Sequence, residues 1–226
     1  APSEKTFQSY FVLSDSEIRF SEEWPVINQI SGVVTTDDGN IDITVDSGNS
    51  LGVDIRNVFG EIGTDELDQN WLRLTGSISG ETSAGLNYLQ SAPLSGGLTE
   101  TVSDWKTVGD FSAFLNVDLP LEVSNANAEV RLDLSLENNT LIIPDYSLNF
   151  NNLSGPIVFD TKTGLEETQL SGDLFDEAVS VLLNSETREG EVQKIFVSAE
   201  GSISKEQLQE WPNQSDFVRS ILNRVE

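Results

Sequence analysis

The sequence has no cysteine, no histidine and no methionine, and it sets 12 lysines and arginines against 38 aspartates and glutamates in 226 residues. Each absence removes a class of function. Without cysteine there is no disulfide framework and no thiol chemistry. Without histidine the commonest general base, the commonest transition-metal ligand and the usual pH switch are gone. The formal net charge of −26 repels the phosphates of nucleic acids and anionic lipid surfaces, so nucleic acid is excluded as a partner. The acidity is spread along the chain as a solvated surface, not gathered in a tail. No apolar run approaches the roughly 20 residues of a membrane-spanning helix, and no signal-peptide pattern is present. The chain opens Ala1-Pro2-Ser3 without methionine, which reads as a segment excised from a longer chain or a processed product.

What is present is alternation. In the stretch from Asp110 to Gly155, Phe111, Ala113, Leu115, Val117, Leu119 and Leu121 share one parity; Ala128, Val130, Leu132, Leu134 and Leu136 share another; Tyr146, Leu148 and Phe150 form a third run. A period of two puts one set of side chains on one face of a sheet and the polar set on the other. A turn is expected at Asn138-Asn139. Upstream, Phe7–Leu13 and Ile18–Phe20 read as strands around Ser14-Asp15-Ser16. Val26–Ile30 and Val33–Thr36 come next, and Asp37-Asp38-Gly39-Asn40 is a hairpin signal. Leu51–Val58 and Trp71–Ile78, with Leu72 and Leu74 on one side, continue the pattern. Downstream, Pro156–Asp160, Glu167–Leu174, Val179–Leu183 and Lys194–Ile203 complete it.

Helix signals are few. Thr82-Ser83 is placed to cap a short helix, AGLNYLQSA, with Leu86 and Leu89 on one side and Pro93 as its stop. Glu100–Val108 offers another turn or two carrying Trp105. Ser204 and Gln207 form a capping box, and the segment 215–224 has a helical apolar face. The expected fold is mainly β: a long antiparallel, strongly curved sheet forming an apolar groove, taco-like or an open sandwich, with a few short helices. A repeat runs through it. Gly76-Ser77-Ile78-Ser79 recurs as Gly201-Ser202-Ile203-Ser204 at a spacing of 125, Gly39 answers Gly164 at the same spacing, and Ile30-Ser31-Gly32 answers Leu153-Ser154-Gly155 at 123. The expected organisation is one extended segment, 1–226, of two related units, about 7–110 and 111–226, stacked as in an elongated array.

Catalytic chemistry finds little to work with. Gly76-Ser77-Ile78-Ser79-Gly80 has isoleucine where a nucleophile elbow needs serine. Pairs of carboxylates suited to a glycosidase occur in any chain this acidic and carry no specificity. Asp37–Asp42 lacks the ligand spacing of a calcium loop and reads as a turn. Trp24, Trp71, Trp105 and Trp211 read as core-edge residues ahead of a sugar platform. No enzyme activity, cofactor or metal site is expected.

An ordered set of residues resembles the YhdP family of bacterial AsmA-like envelope proteins. It comprises Gly85-Leu86-Asn87-Tyr88-Leu89-Gln90-Ser91-Ala92-Pro93-Leu94, Asp104-Trp105-Lys106 with Gly109, Val117-Asp118-Leu119-Pro120-Leu121, Asn139 with Leu141, Leu153-Ser154-Gly155, Thr163-Gly164-Leu165 and Leu170-Ser171-Gly172-Asp173-Leu174-Phe175. The sequence departs from that pattern at Asp176-Glu177, where a glycine is expected. The resemblance implies a periplasmic piece of a protein anchored in the inner membrane of a Gram-negative bacterium, a bridge carrying phospholipid toward the outer membrane. Its partners would be phospholipid acyl chains and neighbouring repeats of the same chain, in a monomer. On that reading Leu115, Val117, Leu119, Val130, Leu132, Leu134, Leu148 and Phe150 line the lipid-binding groove. The same alternation fits a closed β-sandwich whose apolar face is core, a structural or adhesive domain binding protein or carbohydrate.

Overall fold

A computed structural model describes residues 7–19, 24–37, 40–64, 69–92, 102–121, 129–188, 191–202, 204 and 207. Almost all of them lie in a single antiparallel sheet of 12 strands. In chain order these are β1 (Gln8–Ile18), β2 (Ile27–Asp37), β3 (Asn40–Ser50), β4 (Val53–Thr64), β5 (Asn70–Glu81), β6 (Lys106–Pro120), β7 (Glu129–Ile143), β8 (Leu148–Asp160), β9 (Gly164–Leu165), β10 (Thr168–Leu174), β11 (Glu177–Arg188) and β12 (Glu191–Gly201), with the helix α1 (Thr82–Ser91) between β5 and β6. Each strand pairs with its chain neighbour, except that β8 pairs with both β9 and β10, two parts of one strand broken at Glu166-Glu167. The edges β1 and β12 do not pair with each other, so the sheet is open. There is no second sheet for it to face among the described residues.

The strands are longer than the sequence suggests because several expected turns are bulges. Asp15, Gln29, Asn57, Asn138 and Asn152 are left-handed, with φ between 47° and 55°, at or beside breaks in strand register. Aspartate and asparagine, four of the five, tolerate this conformation, and one extra residue flips the side-chain parity of the rest of the strand. Asn138-Asn139 is therefore a bulge where a turn is expected. β7 runs on through it, and its side-chain parity changes so that Val130, Leu132, Leu134 and Leu136 before it share a face with Leu141 and Ile143 after it. The chain reverses instead at a 3₁₀ turn, Pro144–Tyr146, succeeded by left-handed Ser147 at φ 52°. That turn takes Tyr146 off the face expected for it. Ser14–Ser16 is likewise a bulge within β1. Leu51-Gly52 is a tight hairpin turn, not the start of a strand. The turn Phe175-Asp176 uses two left-handed residues, φ 55° and 63°, which explains why a glycine suits that position.

Among the described residues, one of the expected helices is absent. α1 forms, but Thr82 does not cap it: its hydroxyl donates to Gly109 O at 3.0 Å. Glu100–Val108 is not helical where described. Val102–Asp104 is a turn, and β6 starts at Lys106. The Ser204–Gln207 capping box is formed in both directions, at 2.8 and 3.1 Å. Pro93, Trp211 and the segment 215–224 lie outside the described residues, as do Asp38 and Gly39 of the hairpin whose flanking residues, Asp37 and Asn40, pair. The boundary expected between two units, near residue 110, falls within β6.

The core lies mostly between β6 and β12. Ile143, Phe150, Leu153, Leu170, Val181 and Leu183 form one cluster. Val102, Phe159 and Val192 form a second, on to which Leu86, Trp105, Leu132, Leu165 and Ile195 pack. Val53, Phe111 and Ala113 form a third, beneath Ala84 and Tyr88 of α1.

Candidate functional site

The register aligns inward-facing apolar residues into rows that cross the sheet. One row runs Val34, Ile43, Gly60, Leu74, Val117, Val130, each paired to the next. A second runs Thr36, Ile41, Ile62, Leu72, Leu119. A third joins Gly76, Leu115, Leu132 and Phe159. Glycine interrupts the rows where neighbouring strands leave no room for a side chain. A Cβ on Gly76 would lie 2.5 Å from Val58 Cγ2 and 2.9 Å from Val58 Cα, too close to a backbone that a rotamer change cannot move, so glycine fits there; one on Gly60 would meet Leu74 Cδ2, which would have to turn aside.

Coverage of this face is uneven. α1 lies on its Val53–Phe111–Ala113 end, with Gly85 against the Phe111 ring. Burial there pushes the Tyr88 hydroxyl above its ordinary pKa. Away from the helix, Leu72, Leu74, Leu115, Val117 and Leu119 stay half-buried, as on a sheet face with neighbours on both sides and, among the described residues, nothing above. Among those residues the result is an apolar trough, filled along β7–β12 and open along β2–β6 except where α1 lies on Val53, Phe111 and Ala113.

The opposite face is polar and cross-linked by charge. Arg73 Nε donates to Asp118 at 2.9 Å and its guanidinium stacks 4.0 Å above the Trp71 ring. Arg131 bonds Glu166 at 2.8 Å and Asp133 at 3.1 Å. Those carboxylates, Glu166 first, raise the Arg131 pKa. Asp118 and Glu129 sit directly opposite each other, and Lys162 reaches Glu129 at 2.6 Å, which offsets their repulsion and raises the lysine's own pKa. A few large apolar residues also point outward, Phe59 and Phe114 among them.

Of the residues expected to line a groove, Leu115, Val117, Leu119, Val130, Leu132 and Leu134 come together: Leu115 pairs with Leu132 and Val117 with Val130. Leu148 and Phe150 do not join them. They lie at the far end of β8, beyond the Asn152 bulge, and Phe150 is 1% exposed within the core. The trough also contains Val34, Ile43, Val45 and Val58. Alternation within β2–β4 is the sequence signal for them, but bulges at Gln29 and Asn57 cut it short. Among the described residues, no group of acidic side chains is arranged to hold a metal.

The family model described as "YhdP protein" matches residues 1–224. The chain is 26% identical over 189 residues to the intermembrane phospholipid transporter YhdP of Escherichia coli (strain K12), an alignment covering 83% of this chain and 14% of that protein. The chain thus spans about one seventh of its relative's length. No solved structure matches it. With a family model covering nearly every residue, and an open antiparallel sheet carrying a one-sided apolar trough, the chain belongs to the YhdP protein family.

Proposed function

We propose that this chain is a periplasmic section of a phospholipid conduit, with acyl chains lying in the trough and headgroups toward water. The observation that carries this reading is the continuity of the paired apolar rows across β2–β6, left half-buried on one face. Burying acyl chain is worth about 0.8 kcal/mol per CH₂, so free lipid in water is strongly disfavoured. A row of near-equivalent apolar sites lets a chain move along the sheet without leaving cover. Strand pairing satisfies the backbone beneath it.

The conduit is longer than this piece. Among the described residues β1 and β12 have no strand on their outer edges, and the aligned residues make up only 14% of the relative, so flanking repeats of the same polypeptide are the natural partners at both edges. The two-unit organisation has its own support. Left-handed Gln29 and Asn152 precede Ile30 and Leu153, each 2% exposed, and a helix start comes after both β5 and β12. No helix among the described residues is long and apolar enough to cross a membrane.

The test is native mass spectrometry of the purified chain with Val117→Asp and Asp118→Lys variants, neighbours on opposite faces of β6. Wild type and Asp118→Lys are expected to carry phospholipid, and Val117→Asp to lose it while keeping its circular dichroism. A lipid-free mass for the wild type, or equal losses from both faces, would defeat the conduit reading.

A further inference from the structure

The outer face of the sheet has a depression of its own, about 400 Å³ in volume, across β4–β7. Two neighbouring rows of paired residues make it. One runs Arg56, Ser77, Phe114 and Asp133, each opposite the next. The other runs Ser79, Ser112 and Ser135. All seven line the cavity. Strand parity puts them on one face, because Ile78, Ala113 and Leu134, which alternate with them, belong to the cluster beneath α1 on the other face.

The depression follows from residue size. The solvent face of a central strand is ordinarily filled by β-branched or aromatic side chains. Here three serines stand side by side across β5, β6 and β7, and their short side chains leave a floor of hydroxyls. Phe114 stands beside that floor. It is 47% exposed on a strand paired along both sides, so nearly half of a large apolar side chain is left uncovered at the cavity.

The charged groups at the two ends keep hydrogen-bonding capacity. Arg73, Arg131 and Lys162 each touch a carboxylate at 2.9 Å or less. Arg56 lies 4.0 Å from Asp54, beyond hydrogen-bond range, so its donors are open to a ligand. At the other end Asp133 Oδ1 accepts from Arg131 at 3.1 Å, which leaves Oδ2 as an acceptor. Neighbouring strands lie about 4.8 Å apart, so Arg56 and Asp133 are about 14 Å apart along the row.

This chemistry selects among ligands. One cation and one carboxylate leave the lining without net charge, in a chain of net charge −26. An anion is repelled by the rest of the surface, and a cation finds carboxylates throughout it. An aliphatic ligand would bury the hydroxyl floor without partners. A neutral ring with an apolar face for Phe114 and hydroxyls around its edge satisfies every group present, and a pyranose has that form.

We propose that this depression is a binding site for a neutral oligosaccharide laid across β4–β7. The C–H face of one sugar rests on Phe114. The serines and Asp133 hydrogen-bond its hydroxyls, and Arg56 donates to an oxygen of the next sugar. The site is on the face opposite the trough and does not depend on the conduit reading. Saccharide outside and lipid inside do not compete.

The experiment is a nuclear magnetic resonance titration of the isotope-labelled 226-residue chain with triacetylchitotriose, and with tetralysine as the probe for a basic protein partner. The variants are Phe114→Ala, Phe114→Trp, Ser112→Leu, Arg56→Ala and Phe59→Ala. Phe59 is 60% exposed on the same face but does not line the cavity. Wild type is expected to bind the trisaccharide with shifts centred on Ser77, Ser112 and Phe114. Phe114→Ala is expected to weaken it by about tenfold, and Ser112→Leu, which fills the floor, by as much. Arg56→Ala is expected to weaken it less, Phe59→Ala not at all, and Phe114→Trp is expected to bind at least as well as wild type. Lipid content by native mass spectrometry is expected to be the same in all of them, so the trough reading stands or falls separately. A wild type that does not bind the trisaccharide overturns the site. Equal weakening by Phe59→Ala and Phe114→Ala overturns it too, because it reports an unspecific aromatic surface. So does a loss in Phe114→Trp as large as in Phe114→Ala. Tetralysine shifting Ser112 and Phe114 more strongly than the trisaccharide makes the face a docking surface for a basic protein and also overturns it.

Discussion

Strands β2–β5 and β7–β11 carry inward apolar residues at the same two-residue period, but what covers those residues differs. In β1–β5 the buried apolar side chains are Ile30 and Val53; in β6–β12 they include Phe111, Val130, Ile143, Phe150, Leu153, Leu170, Val181 and Leu183. The difference comes from the 82–105 connection and from curl. α1 and the Val102–Trp105 turn lie on the second half, and Val192 of β12 joins Phe159 of β8 in one cluster. Among the described residues the first half is covered only at its Val53–Ile78 end, by α1, and on its edge strand the inward Phe11, paired with Val34, is 57% exposed. A period of two therefore specifies a face. Whether that face is core or trough depends on what the rest of the chain lays over it.

The largest effect that can break this comparison is truncation in the filled half. Phe150→Ala removes a ring 1% exposed from the main cluster and is expected to cost about 3–5 kcal/mol. Leu74→Ala, half-buried in the open half, is expected to cost on the order of 1–2 kcal/mol. Urea unfolding measures both. Lipid retention is expected to move the opposite way, with Leu74→Asp losing bound phospholipid and folded Phe150→Ala retaining it. Similar stability losses at the two positions would mean that the halves are equally packed.

Curvature gives the next effect. Gly76→Val places a branched side chain where a Cβ alone meets Val58 Cγ2 at 2.5 Å and Val58 Cα at 2.9 Å. Overpacking of this kind costs about 1–3 kcal/mol. Because the neighbouring contact is partly backbone, a rotamer change cannot relieve it, and β4 and β5 must separate. The expected result is a lower urea midpoint together with weaker lipid binding. A stability loss with unchanged binding would show that the trough tolerates a wider bend than glycine now sets.

The sheet is legible in the sequence because alternation survives wherever one face is apolar, and parity alone puts Leu115, Val117, Val130 and Leu132 on a common face. The bulges are not legible. Asn138-Asn139 has the composition of a hairpin turn, and only the partner strand shows that Asn139 donates its amide to Asp110 O at 2.9 Å and lets β7 continue. Phe150 reads as a trough residue for the same reason: its parity is right, but burial is a tertiary property that a local period does not encode.

The smallest effect concerns the outer face and sharpens the contrast through salt. Arg73→Met removes the 2.9 Å contact to Asp118 and the guanidinium stacked on Trp71. Both side chains of the ion pair are more than two-fifths exposed, so solvent screens the pair and the expected loss is below about 1 kcal/mol. Raising salt from about 0.01 to 1 M shortens the Debye length from about 30 Å to 3 Å. That weakens the Arg73 pair, but it also screens the self-repulsion of a chain with a net charge of −26. The wild type is therefore expected to gain stability with salt, while its advantage over Arg73→Met shrinks. If instead the wild type lost stability as salt rose, the cross-linked outer face would outweigh the net repulsion, and the ion pairs would be holding the open half in shape where the apolar core does not reach.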